Sequence, residues 1–504
     1  MNHDQYNALC HACDELLLAP DSGDERIATP WLHVIRPHPI FLEGYADIFN
    51  SQFGTNWKRR IRNMGSALRH LAKACTSSGK PWASVGELPD KCDVLMISHL
   101  VNTSILNQDE DFYYGGAASE LAAQGLSATI ALINYTDTAP ALLAGNWRQP
   151  KVPRVIFTTV LGLAAECMLY WRAHVAARHL KKSAAAQSNN LSRRVKARAV
   201  IESTSGGAVS ALRLGEQIKA LVVRLKPRAI MVTYEGHSWE RIAFAAARNV
   251  SPKIQCIGYQ HATLFNQQHA VQRKLADKYN PDAILTSGKV AQSRLQKNQQ
   301  LQDVRIETLG SNRSFARQPA RKWASSNREK KVCLVLPEGI LSECNLLFGF
   351  SLQCARSIPN LEFIWRLHPN MNYETLSRQN PSLRDLPSNI VLSSATLGED
   401  IARSHLALYR GSTAIVQAGV SGVRPVYLHQ TGEVPIDTLY EIAELHARVV
   451  APDDLRKLVE QVEEPHNAVI TEQVQDHCGQ MFTPMDTREL GAYITETRKV
   501  EATL

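Results

Sequence analysis

A chain in which short apolar runs alternate with stretches of helical period has few ways to bury its backbone, and this one shows the alternation twice. Strand-like runs fall at Val94–Ser98, Ala128–Asn134, Ala229–Val232, Ile254–Ile257, Ala283–Leu285 and Ile306–Leu309, separated by helical stretches such as Glu216–Leu225 and Trp239–Ala247. Residues 314–331 interrupt the pattern: they are polar, rich in Arg, Ser and Lys, and contain Pro319. The alternation restarts with Val332–Leu336, Leu361–Trp365, Ile390–Leu392, Leu406–Tyr409, Val426–Leu428 and Val449–Val450. A chain of 504 residues also exceeds one ordinary core. The expectation is an α/β protein with two Rossmann-like domains facing each other across a cleft. Residues 1–315 form the first domain and 316–330 a linker; 331–478 form the second, and 479–504 a tail that packs back on the first. Residues 1–90 are less regular and carry an aromatic and basic cluster at Trp57–Arg62.

Composition narrows the class. Hydrophobic residues at 44% and charged residues at 21% exclude a disordered or fibrous chain, and a net charge of +8 favours anionic ligands. No nucleic-acid signature accompanies that charge. Met1–Ala19 lacks the basic start and apolar core of a secretory signal, which predicts a cytoplasmic protein. Val155–Trp171 is apolar but short of the roughly 20 residues that span a bilayer, so it reads as a buried or amphipathic helix. Behind it, Arg172, Arg178, Lys181, Lys182, Arg193, Arg194, Lys196 and Arg198 form a basic stretch suited to peripheral contact with the inner membrane. Cys10 and Cys13 make the one CxxC; with no second pair at metal spacing, it reads as a helical face.

The residues able to do chemistry lie just past strands, where ligands bind in open α/β sheets. After Ala229–Val232 comes Tyr234-Glu235-Gly236, with Trp239–Arg248 continuing as a helix. Glu235 is therefore a loop carboxylate able to act as base or nucleophile, or else to cap the helix or pair with Arg241. In the next unit Gln260 and His261 follow Gly258-Tyr259 and are expected beside Glu235. Further on, Phe363–Trp365 runs into Arg366, His368 and Pro369, a cation and an imidazole suited to a phosphate ester. Arg410-Gly411-Ser412-Thr413 makes a small-residue turn into a helix, an anion site. Asp109-Glu110-Asp111 reads as a solvated loop, and no Asp-x-Asp cluster sits where a nucleotide-bound metal would.

In this order the segments resemble the GT-B glycosyltransferases that use nucleotide sugars, in particular those with a His-Pro motif and a later Ser/Thr turn. They look like the bacterial sialyltransferases and the capsule and O-antigen transferases that take CMP-Kdo or related CMP-ulosonates. Tyr234-Glu235-Gly236 with Trp239-Glu240, and Gly258–His261, also look like a group of bacterial surface-carbohydrate biosynthesis proteins. The resemblance covers residues 225–430. It implies that His368 and Pro369 bind the CMP phosphate, that Ser412 and Thr413 complete the phosphate or cytidine site, and that Glu338 bonds the ribose or base. Arg366, Arg410 and Gly411 join the donor side; Tyr234, Gly236 and Gln260 join the acceptor or sugar side; Glu235 and His261 are catalytic. Tyr234 stands where the family carries the first acid of an acid-acid-Gly motif. The implied activity is metal-independent transfer of a Kdo- or sialic acid-like sugar to a capsule, O-antigen or lipopolysaccharide acceptor. No cofactor is expected beyond the CMP-sugar donor, and inversion and double displacement both stay open. The other readings are a CDP-alcohol polyol-phosphate transferase and a non-catalytic carbohydrate- or nucleotide-binding partner in a polysaccharide assembly complex.

Overall fold

The computed structural model describes residues 1–50, 57–148, 150–183, 190–317, 331–461 and 466–502. Most of the expected linker lies outside the described residues. The first sheet has eight strands: β1 (Trp82–Val85), β2 (Val94–Leu100), β3 (Ala128–Asn134), β4 (Arg154–Phe157), β5 (Ala229–Thr233), β6 (Gln255–Gln260), β7 (Ala283–Thr286) and β8 (Arg305–Thr308). Their order is β1-β4-β3-β2-β5-β6-β7-β8. Only the edge pair β1–β4 is antiparallel, in register Trp82 to Phe157. The second sheet comprises β9 (Lys331–Leu336), β10 (Leu361–Trp365), β11 (Ile390–Leu392), β12 (Leu406–Tyr409), β13 (Arg424–Leu428) and β14 (Ala447–Val449). It is parallel throughout, in the order β11-β10-β9-β12-β13-β14.

Both sheets are covered on both faces, as the continuous apolar runs require. Alternate residues of one strand therefore enter different cores: Leu95 and Ile97 pack under the helices Gly206–Leu225 and Ser238–Val250, while Val94 and Met96 pack on the other side. Leu490 and Ile494, on the helix Arg488–Ala502, are buried in that second core of the first lobe. Val474 and Cys478, on the preceding helix His466–Met481, belong to the rear lobe. The chain thus crosses back at its end from the lobe built on the second sheet, the rear lobe, to the one built on the first, the front lobe.

One reading of the first 200 residues needs correction. The run Val155–Trp171 is not one helix: Val155–Phe157 lie in β4, and the helix Leu163–Lys182 begins after a loop. Part of the basic stretch behind it is tied down. Arg172 pairs with Glu25 and Glu216, Arg198 with Asp47 and Glu202, and Arg194 donates to the carbonyls of Ile48 and Asn50. The irregular N-terminal region forms a helical cap with its own core, in which Tyr6, Leu9, Cys13, Leu32 and Val34 pack against Leu169, Tyr170 and Leu212. Cys10 and Cys13 both face that core as free thiols, and burial pushes Cys10 up to about 12.

Candidate functional site

The carboxyl end of β5 delivers Glu235, that of β6 delivers His261, and that of β2 delivers His99. β2 and β5 flank the point where the strand order reverses, the place where an open parallel sheet splays its loops apart and leaves a crevice. In the rear lobe β9 leads to Glu338, β10 to His368 and β12 to Arg410–Thr413, again around the reversal between β9 and β12.

A tight turn sets Glu235. Gly236 adopts φ +88°, a left-handed conformation natural only to glycine, with its Cα facing the Ala270 carbonyl. His237 is the N-cap of the following helix, and Glu240, not Glu235, closes the capping box: Glu240 accepts from the backbone N–H groups of Glu235, Gly236 and His237. Burial raises the Glu240 carboxyl to about 7. Glu235 does not pair with Arg241, which donates instead to Ala270, Arg273 and Asn280. That leaves the buried Glu235 carboxylate to other partners.

Its partner comes from a segment that sequence reasoning left unplaced. Arg36 Nη2 lies 2.7 Å from both Glu235 oxygens, and His38, two residues on, donates Nε2–H to Glu338 at 2.8 Å. His38 Nδ1 accepts from the Ile40 N–H, which fixes the proton on Nε2. Two residues of extended chain reach about 7 Å, so this strap ties one carboxylate from each lobe to a single short stretch of chain. The strap leaves the cap through Val34, a β-branched residue at φ +47°, a strained conformation held by its burial in the cap core. Arg273 anchors it further by donating to the His33 carbonyl while paired with Asp14.

The electrostatics follow from this geometry. Burial alone would raise Glu235, but the Arg36 charge and the hydrogen bond from His237 outweigh it and hold the carboxyl well below its usual range. Burial likewise works to lower His237; its hydrogen bond to Glu235 and the charges of Glu240 and Glu235 more than offset that, so its value is raised. His261 is pushed down to about 4 by burial and is neutral, its ring edge-on to Tyr113 at 4.6 Å. His99, neutral for the same reason, bonds Thr233 at 2.8 Å and contacts the rings of Tyr113, Tyr135 and Trp239. Tyr113 is presented by Asp111, which is buried rather than solvated and accepts from Ser98 and the N–H groups of Tyr113 and Tyr114. Beside this cluster opens a cavity of about 620 Å³ whose walls include His237, Trp239, Tyr135, Ser66 and His70.

On the rear side three strand tips pack tightly. A Cβ at Gly339 would stand 2.5 Å from His368 Nδ1, and one at Gly411 would stand 2.7 Å from the Glu338 carboxylate, so a larger residue at either place would displace that side chain. His368 Nδ1 accepts from the Asn370 N–H, so the neutral ring offers Nε2–H as a donor. Pro369 is exposed beside it, Ser412 is buried and Thr413 is exposed at the start of the helix Ala414–Val420.

Four residues expected to touch ligand do something else. Arg366 pairs with Asp400 at 2.9 Å and donates to the Ala395 carbonyl, pinning the end of β10 to the helix Leu397–Arg403. Arg410 is buried between Glu433 at 2.8 Å and Glu343 at 3.4 Å, so its charge is balanced and it holds the turn. Tyr234 is a core residue beneath Arg241 and against Phe244. Gln260 is buried and donates to the Ala262 carbonyl, which shapes the loop carrying His261. Glu338, Glu343 and His38 together offer three ligand atoms within 4.8 Å of one another, the one such group found among the described residues.

No protein-family model matches this sequence, and no curated protein sequence matches it. Among solved structures the chain is similar to Acinetobacter baumannii MurG, at 10% identity over 80% of this chain and 99% of that one, with a TM-score of 0.46. It is similar to the glycosyltransferase SnogD from Streptomyces nogalater at 12% identity, 80% and 99% coverage and a TM-score of 0.43. The UDP-GlcNAc 2-epimerase from Neisseria meningitidis, bound to UDP-GlcNAc, gives 13% identity, 80% and 98% coverage and a TM-score of 0.41. Likenesses at this level concern the path of the chain and say nothing of its substrate.

Proposed function

We propose that this chain is a glycosyltransferase that moves a Kdo- or sialic acid-like sugar from a CMP donor to a surface glycan or glycolipid. The observation that supports the reading is the strap itself, on which Arg36 pairs with the buried strand-tip carboxylate Glu235 of the front lobe and His38 with Glu338 of the rear lobe, beside the Gly411 turn and the His368 strand tip. The donor phosphate takes the Nε2–H of His368 and the Gly411–Thr413 turn, Glu338 faces the nucleoside, and the acceptor occupies the 620 Å³ cavity beside His237. Glu235 receives the acceptor proton. Arg36 must withdraw first, because a carboxylate held far below its usual range is a weak base. Released from Glu235, the same guanidinium is a cation for the carboxylate of the incoming sugar.

Calorimetry with CMP and with UDP tests this reading. CMP is expected to bind and UDP to bind at least tenfold more weakly; preference for UDP would overturn the donor class. Gly339→Ala displaces the His368 ring and is expected to weaken CMP binding by about 10- to 100-fold, the worth of a hydrogen bond to a charged group. Transfer is expected to survive chelators unchanged. Loss of turnover that a divalent ion restores would instead give His38, Glu338 and Glu343 a metal-binding role.

A further inference from the structure

The helix Trp57–Cys75 has two unlike exposed surfaces. Its inner face packs against the helix Leu163–Lys182, where His70 bonds the Tyr170 hydroxyl; Asn63 donates to the Ile201 carbonyl on Asn190–Glu202, and Ala74 is buried. Outward, Trp57, Ile61, Met64 and Leu68 are 57%, 52%, 59% and 63% exposed. Their spacing of four, three and four residues makes one continuous stripe. Beside the stripe, at 100° per residue, Lys58, Arg62, Arg69 and Lys73 fall in a second row. The helix contains no Asp or Glu in its 19 residues. Four large apolar side chains in a row are costly to leave in water, and a single charge sign along their flank selects what covers them.

A groove adjoins the stripe. It encloses about 370 Å³ between this helix, Leu163–Lys182 and Asn190–Glu202, and its walls carry Arg60, His174, Arg178 and Lys181 with Met64 and Val200 but no carboxylate. Apolar side chains next to a cationic groove match the layered chemistry of an anionic bilayer, acyl boundary beside phosphate. No described helix is long and apolar enough to cross a membrane, so contact is in the plane of the surface.

We infer that the Trp57–Cys75 helix is the docking surface of this protein for an anionic phospholipid bilayer. The stripe enters the boundary below the headgroups, the flanking cations meet phosphates, and the groove admits one headgroup. The inner face of the same helix contributes Ser66 and His70 to the 620 Å³ cavity, so docking brings that cavity to the bilayer edge. Only this last link rests on the proposed transferase reading.

Flotation of the full-length protein with phosphatidylcholine vesicles, with and without 30% phosphatidylglycerol, tests the docking without reference to turnover. Binding to anionic vesicles is expected to exceed binding to neutral ones by at least about tenfold and to fall steeply with salt. Leu68→Glu, whose side chain is exposed, is expected to reduce binding by about tenfold or more. Arg62→Glu with Arg69→Glu is expected to reduce it by about fivefold for each cation removed. Unchanged melting temperatures show that these variants are folded. Equal recovery on both vesicle types, or variants that bind like the parent, overturns the proposal. So does a dimer in sedimentation velocity that Leu68→Glu disperses, which would show that a second copy of the chain covers the stripe.

Discussion

Glu235→Gln is expected to lower turnover by about 10²- to 10⁴-fold, the span associated with losing a general base, while CMP still binds. The substitution keeps the shape of the side chain and its place on the β5 tip but removes the charge that Arg36 and His237 hold. Single-turnover kinetics with matched calorimetry would check it, and turnover within threefold of the parent would remove Glu235 from the mechanism. The pH response supplies a second readout. Glu235 has a depressed value in the folded chain, so its contribution to stability is present above the ordinary glutamate range and is lost as pH falls through the folded value. His237 is raised, so its contribution is complete below the ordinary histidine value and is lost as pH rises through the raised one. The melting-temperature advantage of the parent over Glu235→Gln is therefore expected to be greatest between about pH 5 and 6.5, narrowing on both sides.

Gly236→Ala should be the most destabilising single methyl near the site. A Cβ there would lie 2.3 Å from the Ala270 carbonyl oxygen, 2.4 Å from its carbon and 2.7 Å from the Val271 nitrogen. These are backbone atoms that cannot rotate away. The left-handed backbone adds its own cost, and the two together amount to about 2–5 kcal/mol. Urea unfolding monitored by circular dichroism measures it as a lower midpoint at unchanged slope. Gly349→Ala is the control. It sits inside the helix Leu341–Ser357 with nothing within 4 Å of the added carbon, and is expected to stabilise by up to about 1 kcal/mol. A midpoint for Gly236→Ala equal to that of the parent would mean the turn is not as tight as described.

The sheets were legible because both are buried on two faces and so write their strands as apolar runs. Of the fourteen strands among the described residues only β1 and β4 escaped, each four residues long at one edge, β4 opening on Arg154 and running on into an apolar loop and helix. Glu235, His261, His368 and Gly411 were legible as strand-tip positions. Their partners were not. Arg36 meets Glu235 across 199 residues and His38 meets Glu338 across 300, and no periodicity encodes a contact of that separation. His99 lies just past the apolar run Val94–Ser98 with nothing in the sequence to mark it, and its meaning comes from Tyr113, Tyr135 and Trp239, three aromatic rings from distant segments of the chain. Arg366 and Arg410 misled for the complementary reason: a cation beside a strand tip looks available until Asp400, Glu343 and Glu433 are seen to neutralise it.

The strap gives the two lobes unequal grips on one another. Arg36 and Glu235 both belong to the front lobe, whereas His38 and Glu338 belong to different ones. Any hinge motion that parts the lobes must break the second contact and can spare the first. A nitrogen-15 label on the His38 ring would thus report opening, the Arg36 guanidinium would report the charge on Glu235, and a nucleotide competing for Glu338 would act as the key that unfastens one without disturbing the other.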